Sequence, residues 1–319
     1  MSDTLDVAVA RRQEEAVGIC SFDLADPRGR ALPPFAAGAH IDVHLGDGLC
    51  RQYSLCNPPG ETHRYQIAVL REPQSRGGSA AMHERVRTGT RLTVGRPRNL
   101  FALRPGTHPT LLLAGGIGIT PLLAMAEQLS RDQAVFTLHY HGRQRGRMAF
   151  LDRIGASAFA RQVHIHVDDE PATHADPAAA LAAHGPAAHV YICGPAGFID
   201  AMTSHAARAG FDAEHVHVEH FAAAPIDHAA DGAFELVLAR SGLTVMVGRS
   251  ESAVEALARH GIAVETSCEQ GICGTCMTTV LEGEPDHRDR VLSPSERQSG
   301  KVFLPCCSRA RSPRLVIDL

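Results

Sequence analysis

The segment Cys268–Cys276 reads Cys-Glu-Gln-Gly-Ile-Cys-Gly-Thr-Cys and places three thiols at the spacing C-x4-C-x2-C. A fourth cysteine follows after 29 intervening residues. This is the plant-type spacing of thiolates that hold a [2Fe–2S] cluster. Gly271 and Gly274 allow the loop to curl so that its amides face the sulfurs. The predicted metal ligands are Cys268, Cys273, Cys276 and Cys306.

A structural zinc site is the competing interpretation of these cysteines. Such sites usually pair their cysteines in two short knuckles, whereas this chain has one triplet and one distant thiol. Cys307, next to Cys306, leaves the register of the last ligand ambiguous. The 29-residue gap favours Cys306 and makes Cys307 a buried spare thiol. A plant-type cluster transfers single electrons, commonly near about −400 mV.

Length and composition indicate a protein of two or three domains, since the chain has 319 residues. The net charge of −4 does not indicate a nucleic-acid-binding protein. The sequence has no run of 18 apolar residues, so we expect no membrane-spanning helix. The first residues lack a secretory signal, so we expect a cytoplasmic protein with reduced thiols. Cys20, Cys50 and Cys56 are expected to be buried apolar residues. The 19 histidines form no H-E-x-x-H or C-x-H motif, and we expect most on the surface or satisfied in the core.

The first hundred residues contain short alternating stretches separated by Gly, Pro and Asp, which predicts an antiparallel β-barrel. The predicted strands are 5–10, 17–24, 40–45, 64–70 and 91–94, with one helical stretch at 80–87. Arg51-Gln-Tyr-Ser54 offers a fork for a phosphate and an aromatic side chain for a ring system. Arg76-Gly77-Gly78-Ser79 opens the helix, where an anion is favoured. Either motif by itself is equally consistent with an edge strand or a flexible turn.

From Pro109 onward, apolar strands alternate with helices, which predicts a parallel sheet covered on both faces. The predicted strands are 110–114, 134–140, 163–167 and 189–193, with a final segment at 215–220. The predicted helices are 122–129, 148–154, 177–183 and 197–209, the first capped by Thr120 with Pro121 at its first position.

Two glycine motifs follow strands of this sheet, at the edge where such sheets bind ligands. One is Gly115-Gly116-Ile-Gly118-Ile-Thr120-Pro121, and the other is Cys193-Gly194-Pro195. Their glycines let the backbone approach a pyrophosphate, although simple tight turns would use the same residues. Arginines 143, 145 and 147 could accept the 2′-phosphate of NADP or could form a solvated face.

The last ninety residues predict a small mixed sheet with one helix, the ferredoxin-like β-grasp arrangement. The predicted strands are 234–239, 243–247, 277–281 and 314–318. A capping box at Ser252 and Glu255 starts a helix that ends near Gly261. The predicted domains are 1–106 (β-barrel), 107–226 (nucleotide-binding α/β domain) and 233–319 (ferredoxin-like domain), with a linker at 227–232.

With these motifs in order, the chain resembles the phthalate dioxygenase reductase family, including the reductase subunits of vanillate O-demethylase, along essentially its whole length. The strings Pro285–Asp289 and Cys307–Ala310 add to the resemblance. The resemblance implies FMN in the barrel and NADH as the donor. It implies flavin contacts at Arg51, Tyr53, Ser54, Ile67, Ala68, Val69, Gly77, Gly78 and Ser79. Phe221 would cover the flavin, and Thr120 and Cys193 would lie beside the nicotinamide.

This combination of groups predicts a relay in which FMN takes electron pairs from NADH and supplies the cluster with single electrons. The reacting positions would be Ser54, Thr120, Cys193 and Phe221. The chain lacks a Rieske motif, so we expect the acceptor to be a separate Rieske-type oxygenase or demethylase acting on an aromatic substrate. The alternatives are a ferredoxin or haem protein as acceptor, a redox-sensing module without turnover, and a zinc-stabilised binding protein.

Overall fold

The computed structural model describes residues 4–46, 48–73, 75, 77–106, 108–223 and 231–319. The chain divides into two compact units, Met1–Glu219 and His220–Leu319. The first unit carries two sheets, and the second carries a third sheet and a two-stranded ribbon. None of the helices in the described ranges is long and apolar enough to cross a bilayer. Most of the predicted linker, residues 227–230, lies outside the described residues, and the three predicted domain boundaries stay predictions.

The first sheet is antiparallel, with six strands in the order β4-β3-β6-β1-β2-β5. An isolated bridge between Leu55 and Ile67 joins the segment after β4 to β5, and this contact between the two edges closes the sheet into the predicted barrel. A helix, α1 (Gly78–Arg85), packs beside β5. The strands are β1 (Thr4–Ala16), β2 (Ile19–Ala25), β3 (His40–His44), β4 (Cys50–Ser54), β5 (Tyr65–Leu70) and β6 (Arg91–Gly95).

Strand β1 is longer than its alternating pattern predicts. Its second half, Arg11–Glu15, is almost entirely polar, yet it pairs with β2 across a tight hairpin. Gly18 takes a φ of 78° in that turn, a conformation that favours glycine. Backbone pairing with β2 therefore extends the strand beyond its apolar part, which periodicity alone does not reveal.

The second sheet is parallel, in the order β11-β10-β7-β8-β9, as predicted. Helices α2 and α3 pack with one face, and α4 and α5 with the other. The strands are β7 (Thr110–Gly115), β8 (Phe136–Gly142), β9 (Val163–Val167), β10 (His189–Cys193) and β11 (Val216–Glu219). The helices are α2 (Ile119–Arg131), α3 (Leu151–Gly155), α4 (Pro177–His184) and α5 (Ala196–Arg208).

The predicted cap of α2 is wrong. The 3₁₀ turn Gly116–Gly118 runs directly into the helix, so Gly118 is the N-cap and makes no side-chain cap. Thr120 lies within the first turn, and its hydroxyl donates to the carbonyl of Ile117 at 3.0 Å. The helix therefore begins before the Thr-Pro pair, at the end of the glycine motif itself.

The third sheet is mixed, in the order β13-β12-β18-β14-β16, and forms the expected ferredoxin-like domain. Helix α6 (Ala253–Arg259) starts at the predicted capping box of Ser252 and Glu255. Helix α7 (Pro294–Ser299) and the ribbon of β15 (Pro285–Asp286) and β17 (Arg309–Ala310) are not predicted, because such short elements leave no periodicity. The sheet strands are β12 (Phe234–Leu238), β13 (Thr244–Val247), β14 (Thr278–Glu282), β16 (Val302–Phe303) and β18 (Arg314–Ile317).

Candidate functional site

Four thiols meet in the C-terminal unit. Cys268 and Cys273 are close enough to share a hydrogen bond, and so are Cys276 and Cys306. The hydrogen bond between Cys268 and Cys273 lowers the pKa of Cys273 and raises that of Cys268, so Cys273 is the thiol of this pair that ionises first. The amides of Gln270 and Thr275 point at sulfur, at 3.4 Å from Cys268 Sγ and 3.5 Å from Cys273 Sγ. These four side chains fit the donor set of a [2Fe–2S] cluster, with amides facing the sulfurs.

Two glycines shape this cysteine loop, and Cys307 packs beneath it. Gly271 and Gly274 have φ of 69° and 71°, which other residues adopt only with strain. A Cβ on Gly271 would lie 2.3 Å from Cys307 Sγ, so this thiol occupies the space under the loop. Cys307 is buried, whereas Cys306 remains partly exposed beside Cys276. This packing supports Cys306 as the fourth ligand.

Asp289 braces the same loop from the neighbouring segment. Its side chain is fully buried and accepts hydrogen bonds from the amides of Val291 at 3.0 Å and Leu292 at 2.8 Å. The next residue, Arg290, donates its amide to the Gly271 carbonyl at 2.8 Å. The string Pro285–Asp289 therefore supports the cysteine loop, a role that the sequence alone did not suggest.

The predicted flavin residues come together on one side of the barrel. Arg51, Tyr53 and Ser54 lie on the edge strand β4, and the buried Ile67–Val69 lies on β5. A Cβ on Gly78 would lie 2.4 Å from Arg51 Cγ, so the arginine crosses directly over the start of α1. A guanidinium beside a helix N-terminus is a suitable cradle for a phosphate.

The phosphate end of this site is held by short polar contacts. Gly77, with φ of 89°, precedes α1, and Ser79 Oγ accepts the amide of Glu72 at 3.1 Å. His83 Nε2 bonds the carbonyl of Val69 at 2.8 Å and ties α1 to β5. Arg76, the first residue of the predicted motif, lies outside the described residues.

The two glycine motifs of the parallel sheet lie against each other, as their positions after β7 and β10 predicted. A Cβ on Gly118 would lie 2.2 Å from the carbonyl oxygen of Cys193, and one on Gly194 would lie 3.0 Å from Gly115 Cα. Gly116 adopts φ of 54° at the turn. Backbone packs on backbone at Gly118, whereas a Cβ on Gly115 or Gly194 would first meet the ring of Phe198 at 2.9 Å. Only glycine therefore fits at positions 115, 118 and 194 without movement. Thr120, Pro121, Cys193 and Pro195 flank this contact.

Glu219 is a residue that the sequence analysis missed. It ends β11, pairs in register with Cys193 of β10, and its Oε2 accepts the hydroxyl of Ser54 at 3.3 Å. The residue keeps some solvent exposure, yet desolvation of its carboxyl group raises the pKa to about 8. The Ser54–Glu219 bond joins the barrel to the parallel sheet beside the glycine motifs. The string Glu-His-Phe carried the signal but was interpreted only through Phe221.

Phe221 and the three arginines after β8 were also predicted to contact cofactors. Phe221 belongs to the C-terminal unit and is 39% exposed, and its contact with a flavin stays a prediction. Of the three arginines after β8, Arg145 pairs with Glu170, with Nε at 2.8 Å from Oε1. The other two, Arg143 and Arg147, share a surface hollow with Gln144, Asp168 and Asp169.

Comparison with known proteins agrees with this arrangement. Residues 236–311 match the family model described as a 2Fe-2S iron-sulfur cluster binding domain. Vanillate O-demethylase oxidoreductase of Pseudomonas putida is 48% identical, over 99% of this chain and 100% of the relative. Phenoxybenzoate dioxygenase subunit beta of Ectopseudomonas oleovorans is 45% identical, over 93% and 92%.

Solved structures also align with 99% of this chain, among them the two that follow. Phthalate dioxygenase reductase, described as a modular structure for electron transfer from pyridine nucleotides to [2Fe-2S], is 37% identical with a TM-score of 0.76, and 98% of it is covered. An intact type IV self-sufficient cytochrome P450 monooxygenase is 39% identical with a TM-score of 0.87, and 41% of it is covered. The chain therefore belongs to the phthalate dioxygenase reductase family and is an NADH-dependent flavin iron–sulfur oxidoreductase with FMN and [2Fe–2S] as its cofactors.

Proposed function

We propose that this chain is the reductase component of a vanillate O-demethylase type system and delivers electrons to a separate Rieske-type oxygenase component. The observation that carries the reductase role is the pairing of Cys268 with Cys273 and of Cys276 with Cys306 in the C-terminal unit, with Cys273 close enough for its charge to act on Cys276. The choice of partner is supported by three vanillate O-demethylase oxidoreductases that are 44–48% identical over 99% of this chain.

When bound, the flavin accepts an electron pair from the nicotinamide and passes single electrons to the cluster. The protein contributes binding and orientation. We propose that Arg51 and Gly77–Ser79 hold the ribityl phosphate, since the guanidinium and the start of α1 are in contact there. Tyr53 and Ile67–Val69 would flank the ring system, and Phe221 would cover it. The glycine motifs would hold the pyrophosphate against the edge of the parallel sheet.

The Ser54 hydroxyl and the Glu219 carboxyl group form a hydrogen-bonded pair where the barrel meets the parallel sheet. Because desolvation raises the pKa of Glu219 to about 8, its carboxyl group keeps a proton at neutral pH. The hydrogen bond of 3.3 Å from Ser54 Oγ to Glu219 Oε2 holds the serine hydroxyl at the carboxyl group of a residue that pairs in register with Cys193. We propose that this pair orients the nicotinamide and keeps a negative charge away from it.

The hollow beyond β8 supports NADH over NADPH. Asp168 and Asp169 lie beside Arg143 and Arg147, and Arg145 is already paired with Glu170. Two carboxylates would repel a 2′-phosphate, whereas a carboxylate can accept hydrogen bonds from ribose hydroxyls. Arg145 therefore serves as the partner of a neighbouring acid, and Arg143 and Arg147 line the hollow together with the two aspartates.

The experiment reconstitutes the fully loaded reductase with a vanillate O-demethylase oxygenase component and follows NADH consumption coupled to loss of the methyl group from vanillate. Coupled turnover is expected. Rapid reduction of a one-electron dye without any coupling to that oxygenase would retain the reductase and reject the partner. No reduction of flavin or dye by NADH would reject the reductase role itself.

A haem protein is the second candidate acceptor. It is favoured by the 39% identical module in a self-sufficient cytochrome P450 monooxygenase. Under the same conditions, a P450 haem domain replaces the oxygenase component, and the initial rate of haem reduction is compared at equal concentrations. Faster transfer to the haem domain would overturn the choice of a Rieske-type partner.

A further inference from the structure

Four histidines form a ladder on one face of the parallel sheet. His139 and His141 of β8 lie directly opposite His164 and His166 of β9. Strand alternation points all four side chains to the same face. The rings of His139 and His164 stack at 4.8 Å between centroids, and those of His141 and His166 at 4.4 Å.

Three of these imidazoles bring their nitrogens together. The nearest ring nitrogens of His139, His141 and His166 all lie within 4.8 Å of one another, and His139 Nδ1 is 2.9 Å from His166 Nε2. Three imidazoles bound to one zinc ion at about 2.0–2.1 Å, with tetrahedral angles, have nitrogens roughly 3.4 Å apart. To reach that geometry, the hydrogen-bonded nitrogens of His139 and His166 must separate by about 0.5 Å, and the ring of His141 must rotate out of its stack on His166.

The hydrogen bonds around His166 prepare it as a ligand. Its Nδ1 lies 2.7 Å from the carbonyl oxygen of Thr173, which can only accept, so Nδ1 carries the hydrogen. The Nε2 lone pair is then directed at His139. Thr173 is itself fixed, since its hydroxyl bonds the carbonyl of Glu170 at 2.8 Å and accepts the amide of Val167 at 2.8 Å. A histidine that donates its second ring nitrogen to a backbone carbonyl is the usual support of a metal ligand.

We propose that His139, His141 and His166 form a binding site for a single transition-metal ion of the zinc class, with a fourth position open to water. Imidazole nitrogens suit Zn²⁺, Cu²⁺ and Ni²⁺ and disfavour Mg²⁺ and Ca²⁺. The partial exposure of His141 provides a route from solvent.

The chain offers a matched control on the opposite face of the sheet. His189 Nδ1 and His217 Nε2 are also 2.9 Å apart, but in the described part of the chain no grouping of ligand nitrogens forms around that pair. Replacing His217 removes one imidazole from a histidine pair outside the proposed site, whereas replacing His166 removes one imidazole from the proposed site itself.

The test uses the reductase with its flavin and cluster fully loaded, so that the cysteine thiols are occupied, purified without a histidine tag or nickel resin. Zn²⁺ is titrated by isothermal calorimetry, and zinc K-edge absorption reports the ligands. The wild type and H217Q should bind one zinc per chain with nitrogen and oxygen neighbours at about 2.0–2.1 Å. H166Q should bind about 100-fold more weakly, since even loss of a supporting partner weakens metal sites by 10–100-fold.

Flavin and iron content, together with the melting temperature, show whether H166Q is folded. If it is not, H141Q, which alters a partly exposed ring, takes its place with the same expected loss. Equal affinity in wild type and the folded variant would overturn the proposal. So would sulfur neighbours at about 2.3 Å, or a loss of binding in H217Q alone.

Discussion

Substitution of Gly118 by alanine tests the contact between the two glycine motifs. Gly118 has φ of −62°, so alanine meets no backbone strain there. Its Cβ, however, would lie 2.2 Å from the carbonyl oxygen of Cys193 and 2.6 Å from the amide nitrogen of Gly194. To reach an ordinary contact of 3.4 Å, the two loops must separate by about 1.2 Å. Backbone lies on both sides, so no side chain can yield.

A displacement of about 1 Å in a site that positions reactants can reduce the rate by roughly 100-fold. We therefore expect G118A to lower the apparent second-order rate of flavin reduction by NADH by 10- to 100-fold. Overpacking should also cost about 1–3 kcal/mol of folding stability. The assay is anaerobic stopped-flow bleaching of the flavin over a range of NADH concentrations.

The matched control is G197A, a substitution in the first turn of α5. A Cβ at Gly197 meets nothing within 4 Å, so flavin reduction should stay within about twofold of wild type. Photoreduced flavin should pass electrons to the cluster at the wild-type rate in both variants, because neither residue is part of the cysteine loop. The reasoning is refuted if G118A is stable and reduces its flavin as fast as G197A at low NADH.

Three further substitutions test other parts of the sites. C306S should lose its iron and visible cluster bands, whereas C307S should retain the cluster with a lower melting temperature, because Cys307 only fills space under Gly271; equal iron loss in both would contradict this. Glu219 has an ordinary pKa of 4.5 that the fold raises to about 8, so its ionisation opposes folding increasingly as pH rises from 4.5 to 8. The melting temperature of E219Q relative to wild type should therefore increase across that window, while E214Q, at an exposed carboxylate, should show no such trend. The D168N/D169N double variant should lower the ratio of kcat/KM for NADH to kcat/KM for NADPH at least about tenfold. An unchanged ratio would show that other residues recognise the ribose.

Local patterns in the sequence were sufficient to predict the architecture. Glycine motifs after apolar strands could be assigned to one edge of a parallel sheet, because the carboxyl ends of parallel strands meet there. The capping box at Ser252 and Glu255 was equally readable, since its hydrogen bonds join residues three apart. Helix α7 carries the same local signal, a capping box at Ser293 and Glu296 with Pro294 at its start, which the sequence analysis did not use. The two-residue strands β15 and β17 could not be predicted, because so short a stretch has no periodicity.

The sequence analysis missed residues whose roles depend on partners that are far away along the chain. Glu219 is 165 residues from Ser54 in sequence, and neither residue indicates the other. The bracing role of Asp289 depends likewise on the loop that it supports. The histidines of β8 and β9 were expected to be surface or satisfied core residues, and the three nitrogens meet only because the strand register sets His139 opposite His164 and His141 opposite His166.

The amino-acid sequence by itself determined the order of the three modules, and it predicts four cysteines as the cluster ligands, because both depend on spacing along the chain. The tertiary structure decided which atoms stand within a few ångströms of one another: Cys307 beneath Gly271, Gly118 against Cys193, and Ser54 beside Glu219. Such contacts depend on strand register and loop closure, and these are set by the packing of the whole domain.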